Sequence, residues 1–259
     1  MNNPVYLVGL GNLGKILSQR MADRGIELQG IVVRDPKKYE ELYPNFPFIS
    51  INKIPKSKEA TFILCVKDDQ IMGFLDELIQ FGLSNSTVVH CSGSFNSRSM
   101  TPYFENNGYL YPLQTFNQNH DIDFDAIPIF VGGSNSNTLN TILTIANRLG
   151  NNVHEISESK RKTLHLCAVY INNFGNRLFG VAQDIANKEE IPFEYLKPLA
   201  EETVRVVFEK NHKSAQTGPA KRKDISTIER HLDYLREKGL IEELEMYLMF
   251  TKMIQDENR

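Results

Sequence analysis

A short apolar segment near the start of the chain runs directly into three glycines at Gly-x-Gly-x-x-Gly spacing. These are Gly9, Gly11 and Gly14, and Lys15 opens a stretch with helical periodicity. In a strand-turn-helix unit the first glycine permits a tight turn, the second lets a pyrophosphate approach the backbone, and the third lets helix and strand pack closely. The phosphates then lie at the positively polarised start of the helix. The pattern predicts a dinucleotide-binding loop, with a glycine-rich turn that binds nothing as the alternative.

The end of the second predicted strand indicates which dinucleotide the loop would take. An acidic residue about 20 residues after the glycines holds the ribose 2′-OH of NAD, whereas an arginine accommodates the 2′-phosphate of NADP. Arg34 comes directly off the strand, Asp35 follows it, and Lys37 and Lys38 lie just beyond. This order favours NADP(H) over NAD.

Apolar strand segments alternate with helical segments up to about residue 156, and only helical patterns follow. Alternation of this kind predicts an α/β fold, a Rossmann-like doubly wound, mostly parallel sheet with helices on both faces. We expect a Rossmann-like domain over residues 1–156 and a smaller all-α domain over residues 157–259. The first helix of that second domain is predicted to be long and to run to about Lys188. A later one is predicted to start at a capping box formed by Ser226 and Glu229.

Composition excludes several classes of function. The net charge of −3 gives no basic field for nucleic acid. No apolar run approaches the roughly 20 residues of a membrane span, and the N-terminal segment has no signal-type pattern. The three cysteines are widely spaced and indicate reduced thiols in a cytoplasmic protein. The histidines lack paired spacing, so no metal site is expected.

Open α/β sheets bind ligands at the carboxyl ends of their strands, and polar candidates follow two predicted strands. Val66 and Asp68 follow one strand and are predicted to contact the cofactor, although Asp68 is equally suited to be a helix N-cap. Ser92 and Ser94 follow the next strand, where they would hydrogen-bond substrate or cofactor or form an ordinary turn. His90 lies inside that strand and is predicted to be a core histidine.

A line of polar residues along the first long helix of the second domain forms a candidate substrate wall, with a solvated helix face as the alternative. Its members are Glu158, Arg161, His165, Asn172 and Asn176. A histidine titrates near neutrality and can give or take a proton, which makes His165 the candidate acid or base.

A basic loop follows later in the chain and includes Lys221 and Arg222. Its cations would hold a substrate carboxylate or phosphate, take part in a dimer contact, or be solvated.

The chain resembles the 6-phosphogluconate and β-hydroxyacid dehydrogenase superfamily, which has pyrroline-5-carboxylate reductase and prephenate dehydrogenase as relatives. Within it, the chain is similar to a bacterial family of candidate NADP oxidoreductases that pair a Rossmann-like domain with a helical domain of unknown function. The resemblance rests on the three glycines, on 90–94 and 111–116, on Glu158 with Arg161 and His165, and on 215–220 with Arg222 and Asp224.

The resemblance implies NADP(H) binding, hydride transfer to a small organic substrate in a cleft between the domains, and a homodimer built through the helical domains. Hydroxyacid dehydrogenases of the superfamily carry a catalytic lysine with an asparagine four residues later. Here Lys160 is followed at that spacing by Leu164, and Lys162 by Leu166. Hydroxyacid oxidation by that mechanism is therefore not expected, and a histidine-based reduction fits better. Prephenate dehydrogenase has a catalytic histidine where Tyr111 falls, so its activity is not carried over.

Together these arguments predict an NADP(H)-dependent oxidoreductase with no metal, nucleic-acid or membrane partner. Its alternatives are a dinucleotide-binding sensor without turnover and a reductase that passes hydride between NADP and a deazaflavin. The predicted catalytic residues are His165, Asn172, Asn173 and Ser92. The predicted cofactor contacts are Gly9, Gly11, Asn12, Leu13, Gly14, Arg34, Val66 and Asp68. The predicted substrate contacts are Ser94, Pro112, Gln114, Thr115, Arg161 and Arg222.

Overall fold

The computed structural model describes residues 3–56, 59–117 and 123–257. The chain divides into two compact units, residues 1–173 and residues 174–259. The first unit contains the whole sheet and also the helix that follows it, so the division comes later in the chain than residue 156.

The first unit is built on one eight-stranded sheet. Its strands are β1 (Val5–Val8), β2 (Leu28–Val32), β3 (Phe48–Ile49), β4 (Thr61–Leu64), β5 (Thr87–His90), β6 (Asn107–Pro112), β7 (Ile129–Gly133) and β8 (Val153–Glu155). Their order is β3-β2-β1-β4-β5-β6-β7-β8, and every neighbouring pair is parallel except β6 and β7. The predicted Rossmann-like, mostly parallel sheet is confirmed.

The helices of the first unit are α1 (Asn12–Asp23), α2 (Pro36–Glu40), α3 (Asp68–Gln80), α4 (Ser136–Leu149) and α5 (Glu158–Ala168). Buried side chains of α1 and α4 belong to one core cluster, and those of α3 belong to another. One core cluster includes Leu7 and Ile63, and a second includes Tyr6 and Phe62, so alternate residues of β1 and β4 enter different clusters. Strands buried on both faces have near-continuous apolar sequence, and β4 is buried throughout and apolar apart from Thr61.

The described residues of the second unit form helices and connecting turns, with no strand. It contains α6 (Gly175–Lys188), α7 (Lys197–Lys210), α8 (His212–Ala215), α9 (Pro219–Arg222), α10 (Ile225–Glu237) and α11 (Ile241–Glu257). The predicted long helix to about Lys188 corresponds to α5, the π-helical segment Val169–Phe174 and α6, which follow one another without a gap.

The predicted capping box at Ser226 and Glu229 was wrong. The N-cap of α10 is Asp224, whose carboxylate accepts from the backbone N–H of Thr227 at 3.2 Å. None of the described helices is both long and apolar enough to cross a bilayer.

Candidate active site

The three glycines close β1 onto α1 at the carboxyl end of the parallel strands. Gly9 has φ +87°, and a Cβ there would lie 2.9 Å from Cγ1 of Val66. A Cβ on Gly14 would overlap with the carbonyl oxygen of Gly9, whereas a Cβ on Gly11 would meet nothing within 4 Å. Gly9 therefore makes the turn and Gly14 the close packing, and only Gly11 faces open space. The first turn of α1 carries no acidic side chain. This cradle fits a pyrophosphate, because the first N–H groups of a helix have no intrahelical acceptor.

The other predicted cofactor contacts surround this loop. Asn12 Nδ2 donates to the carbonyl of Phe116 at 3.0 Å, which ties the start of α1 to the segment after β6. Leu13 and Val66 are partly buried beside the turn, while Arg34 is exposed two residues after β2. An exposed cation at this position fits a 2′-phosphate.

The loops after β4 and β5 are joined by one short hydrogen bond. Ser94 Oγ donates to the Asp68 carboxylate at 2.5 Å. Asp68 is the first residue of α3 and Lys67 is its N-cap, so the alternative of an Asp68 N-cap was wrong. The Ser92 hydroxyl oxygen accepts from the backbone N–H groups of Ser94 and Phe95, at 3.1 and 2.9 Å. This side chain therefore shapes the 92–95 loop.

His90 lies beneath this loop and is completely buried, which confirms the prediction of a core histidine. Its Nδ1 accepts from the backbone N–H of Ser92 at 3.2 Å, and Nε2 lies 2.7 Å from Ser97 Oγ. Burial holds the pKa of His90 well below its usual value, and the positive charges of Arg161 and Lys162 add to this effect. The ring is therefore neutral, with its proton on Nε2.

Arg161 holds the 92–95 loop through hydrogen bonds from its buried side chain. Its side chain has no exposed surface, and its guanidinium donates to the backbone carbonyls of Ser92 and Phe95. It also donates to Glu158 at 2.9 Å and lies 4.6 Å from the ring centre of Tyr109. This burial leaves Arg161 no surface to offer a substrate, so the structure favours a positioning role over the predicted substrate contact.

His165 lies one helical turn after Arg161, and its ring is only partly buried. Its Nδ1 is 3.0 Å from the hydroxyl of Tyr111. Gly93 packs against both rings, because a Cβ there would overlap with His165 Nδ1 and lie 2.9 Å from Tyr111 Cζ. Burial raises the pKa of Tyr111, an effect that the charge of Arg161 partly offsets. Sequence reasoning missed both Gly93 and Tyr111 as site residues, because a contact across 54 positions leaves no local pattern.

The remaining predicted residues lie in varied surroundings. Pro112 is the buried last residue of β6, and exposed Gln114 accepts from the backbone N–H of Thr115 at 2.8 Å. Asn172 and Asn173 are exposed on the π-helical segment. Arg222 belongs to the second unit, where it ends α9.

The described residues contain no cluster of three or more His, Cys, Asp or Glu side chains that could hold a metal ion.

Comparisons with known proteins were made with both sequence and structure. Residues 127–254 match the family model described as a domain of unknown function, DUF2520. A comparison with curated protein sequences gave no match. Among solved structures, a candidate NADP oxidoreductase from Bacteroides fragilis is 29% identical with a TM-score of 0.81, and the alignment covers 98% of each chain.

Two enzymes with bound cofactor also share the fold. Plasmodium falciparum pyrroline carboxylate reductase with NADP bound is 15% identical, with a TM-score of 0.58 over 98% of this chain and all of that one. A reductive aminase from Aspergillus terreus, in complex with NADPH and ethyl levulinate, is 15% identical with a TM-score of 0.65 over 98% and 95% of the two chains. Residues 127–254 thus match the DUF2520 model, and the chain shares its fold with the candidate NADP oxidoreductase and with the two cofactor-bound reductases.

Proposed function

We propose that the protein is an NADP(H)-dependent oxidoreductase that acts on a small carbonyl or imine substrate. The observation that carries this proposal is the meeting of a glycine cradle and a histidine at one edge of the sheet. The strands β1, β4, β5 and β6 are parallel, so their carboxyl ends share that edge. Hydrogen bonds from Asn12 to Phe116 and from Ser94 to Asp68 join the loops that follow these strands.

In this proposal the backbone of Gly9, Gly11 and Gly14 holds the pyrophosphate, and Arg34 pairs with the 2′-phosphate. NADP(H), when bound, supplies or accepts the hydride. His165 supplies the proton to the oxygen or nitrogen of the substrate's carbonyl or imine group, or removes it in the reverse direction. Ser94 and the segment with Gln114 and Thr115 are proposed to line the substrate position. The proposed substrate class is that of two proteins with the same fold, a pyrroline carboxylate reductase and a reductive aminase.

The test is a panel of carbonyl compounds and imines assayed with NADPH, for the wild type and for His165→Ala. We expect turnover to fall by at least about 100-fold in the variant, because a positioned proton donor contributes about that much or more. NADPH affinity should stay nearly unchanged. A variant that keeps its turnover, or that loses NADPH binding instead, would contradict the role given to His165.

A sensor without turnover is the second candidate, because the chain lacks the lysine and asparagine pair of the hydroxyacid dehydrogenases. A Rossmann fold supports binding, and chemistry depends on the site. Tight NADPH binding without oxidation of NADPH by any member of the panel would favour the sensor.

We also propose that the chain forms a homodimer through its helical unit. Large apolar side chains are exposed on α6, on the short 3₁₀ helix Phe193–Leu196 and on α7. The most exposed are Phe208, Tyr195, Leu199, Val204 and Phe179, at 79%, 72%, 65%, 55% and 50%. Phe179, Leu199 and Val204 line one apolar groove, and exposed apolar surface of this kind marks an interaction site.

A further inference from the structure

The contact between Tyr111 and His165 is the part of the site that the proposed function leaves unexplained. The hydroxyl of Tyr111 lies 3.0 Å from Nδ1 of His165, and the rings meet edge to face with centroids 5.9 Å apart. Tyr111 is 9% exposed, at the end of β6, whereas the histidine ring is only partly buried. One ring nitrogen therefore faces a fixed protein partner, and Nε2 is the nitrogen left for a ligand.

We propose that Tyr111 is the positioning residue of the proton-transfer step, because it accepts a hydrogen bond from Nδ1–H of His165 and leaves Nε2 to gain and lose the proton. The inference rests on the proposed function. It would fix the tautomer of the histidine, since the hydrogen bond made by one ring nitrogen decides where the proton of the neutral ring resides.

The alternative arrangement supports exchange at Nε2 only if the hydrogen bond reverses. If Tyr111 donated to Nδ1, the neutral ring would carry its proton on Nε2, and a further proton could enter at Nδ1 only after the Tyr111 hydroxyl turned to accept it. If Nδ1–H donates to Tyr111, the same hydrogen bond persists in the neutral and the charged ring. In the reductive direction, a hydride adds to the substrate carbon and the Nε2 proton goes to its oxygen or nitrogen. The neutral ring keeps its Nδ1–H throughout.

Tyr111 itself does not carry the proton in this scheme. Burial raises the pKa of its hydroxyl, which makes a tyrosinate unfavourable. Two further contacts keep the pair in place. Gly93 leaves no gap against either ring, and buried Arg161 ties the start of α5 to the 92–95 loop.

The first test is nitrogen-proton correlation NMR of the protein with labelled histidine, at a pH where the rings are neutral. The His165 signal is identified by its loss in His165→Ala. We expect the proton of wild-type His165 on Nδ1, and a shift toward Nε2–H, the form that free histidine prefers, in Tyr111→Phe. A wild-type ring protonated on Nε2, or an unchanged tautomer in Tyr111→Phe, would overturn the proposal.

The chain offers a matched control. In the second unit, Nδ1 of His231 lies 2.8 Å from the hydroxyl of Tyr247, with the rings again edge to face. Tyr247→Phe should change the His231 signal and leave the His165 signal where it was. A change of the His165 signal in both variants would mean that the effect is not local, which contradicts the assignment to Tyr111.

The second test is kinetic. Tyr111→Phe keeps the ring against Gly93 and removes only the oxygen, so kcat should fall about tenfold with KM and NADPH affinity little changed. An unchanged kcat would overturn the positioning role. The NMR result needs no substrate, so it tests the tautomer of His165 independently of the proposed function. If His165→Ala keeps its turnover, the proposed function fails; if His165 is essential but is protonated on Nε2, only this inference fails.

Discussion

Gly93 shows how a single missing side chain defines the candidate site. A Cβ at this position would overlap with the His165 ring, so Gly93→Ala should displace the imidazole and lower turnover at least about tenfold. NADPH affinity should hold, because Gly93 lies outside the glycine cradle. Steady-state kinetics and a cofactor titration measure the two quantities.

Gly73 provides the matched control for this substitution. It lies inside α3, and a Cβ there would meet nothing within 4 Å. Gly73→Ala should keep full turnover and raise the free energy of unfolding by about 0.5–1 kcal/mol, since glycine is entropically costly in a helix. If Gly93→Ala proves equally harmless, the packing of His165 against the loop is not needed for activity.

Residues differ in how far the sequence alone predicts their role. The three glycines were recognisable because their chemistry depends on spacing within six positions. His90 was assigned to the core because it lies in an apolar strand. Tyr111 meets its partner only because β6 and α5 pack together, and no local pattern encodes that pairing. The burial of Arg161 was likewise hidden, since a charged residue on a helix usually faces solvent.

At the scale of elements, the long apolar strands and amphipathic helices were predictable from periodicity. β3 has two residues, too few for any periodic pattern, and it was missed. The π-helical segment Val169–Phe174 also escaped, because the apolar residues around it continue a helical spacing. The start of α10 was misplaced because Asp224 and Ser226 are both good capping residues, and the cap depends on where the preceding short helix ends.

The start of α10 can be tested directly. Asp224 accepts from the backbone N–H of Thr227 and, at 2.8 Å, from its hydroxyl. Asp224→Ala should therefore lower the free energy of unfolding by about 1 kcal/mol. Ser226→Ala should cost clearly less. Urea unfolding followed by circular dichroism measures both, and a larger loss in Ser226→Ala would show that the cap is wrongly assigned.

At the scale of the whole molecule, the order of strand-rich and helix-only sequence predicted an α/β unit followed by a helical one. Periodicity did not reveal that so many apolar residues of the helical unit would be exposed. A row of apolar residues on one face of a helix has the same spacing whether it packs within its own chain or against another chain.

This exposed surface leads to a prediction about assembly. Sedimentation equilibrium should give a mass about twice the chain mass of 29.6 kDa. The double variant Leu199→Glu with Phe208→Glu places two charges in the proposed contact and should sediment as a monomer. A wild-type chain that is monomeric at every concentration tested would contradict the homodimer.

The central claim is that the glycine cradle and Arg34 bind NADP(H). Calorimetric titration of the purified protein with NADPH and with NADH, repeated on Arg34→Ala, tests it most directly. We predict tight NADPH binding, weak NADH binding, and a loss of about tenfold or more in NADPH affinity alone in the variant, because a charge-assisted contact to phosphate is removed. A wild type that binds neither dinucleotide would contradict NADP(H) binding by this cradle.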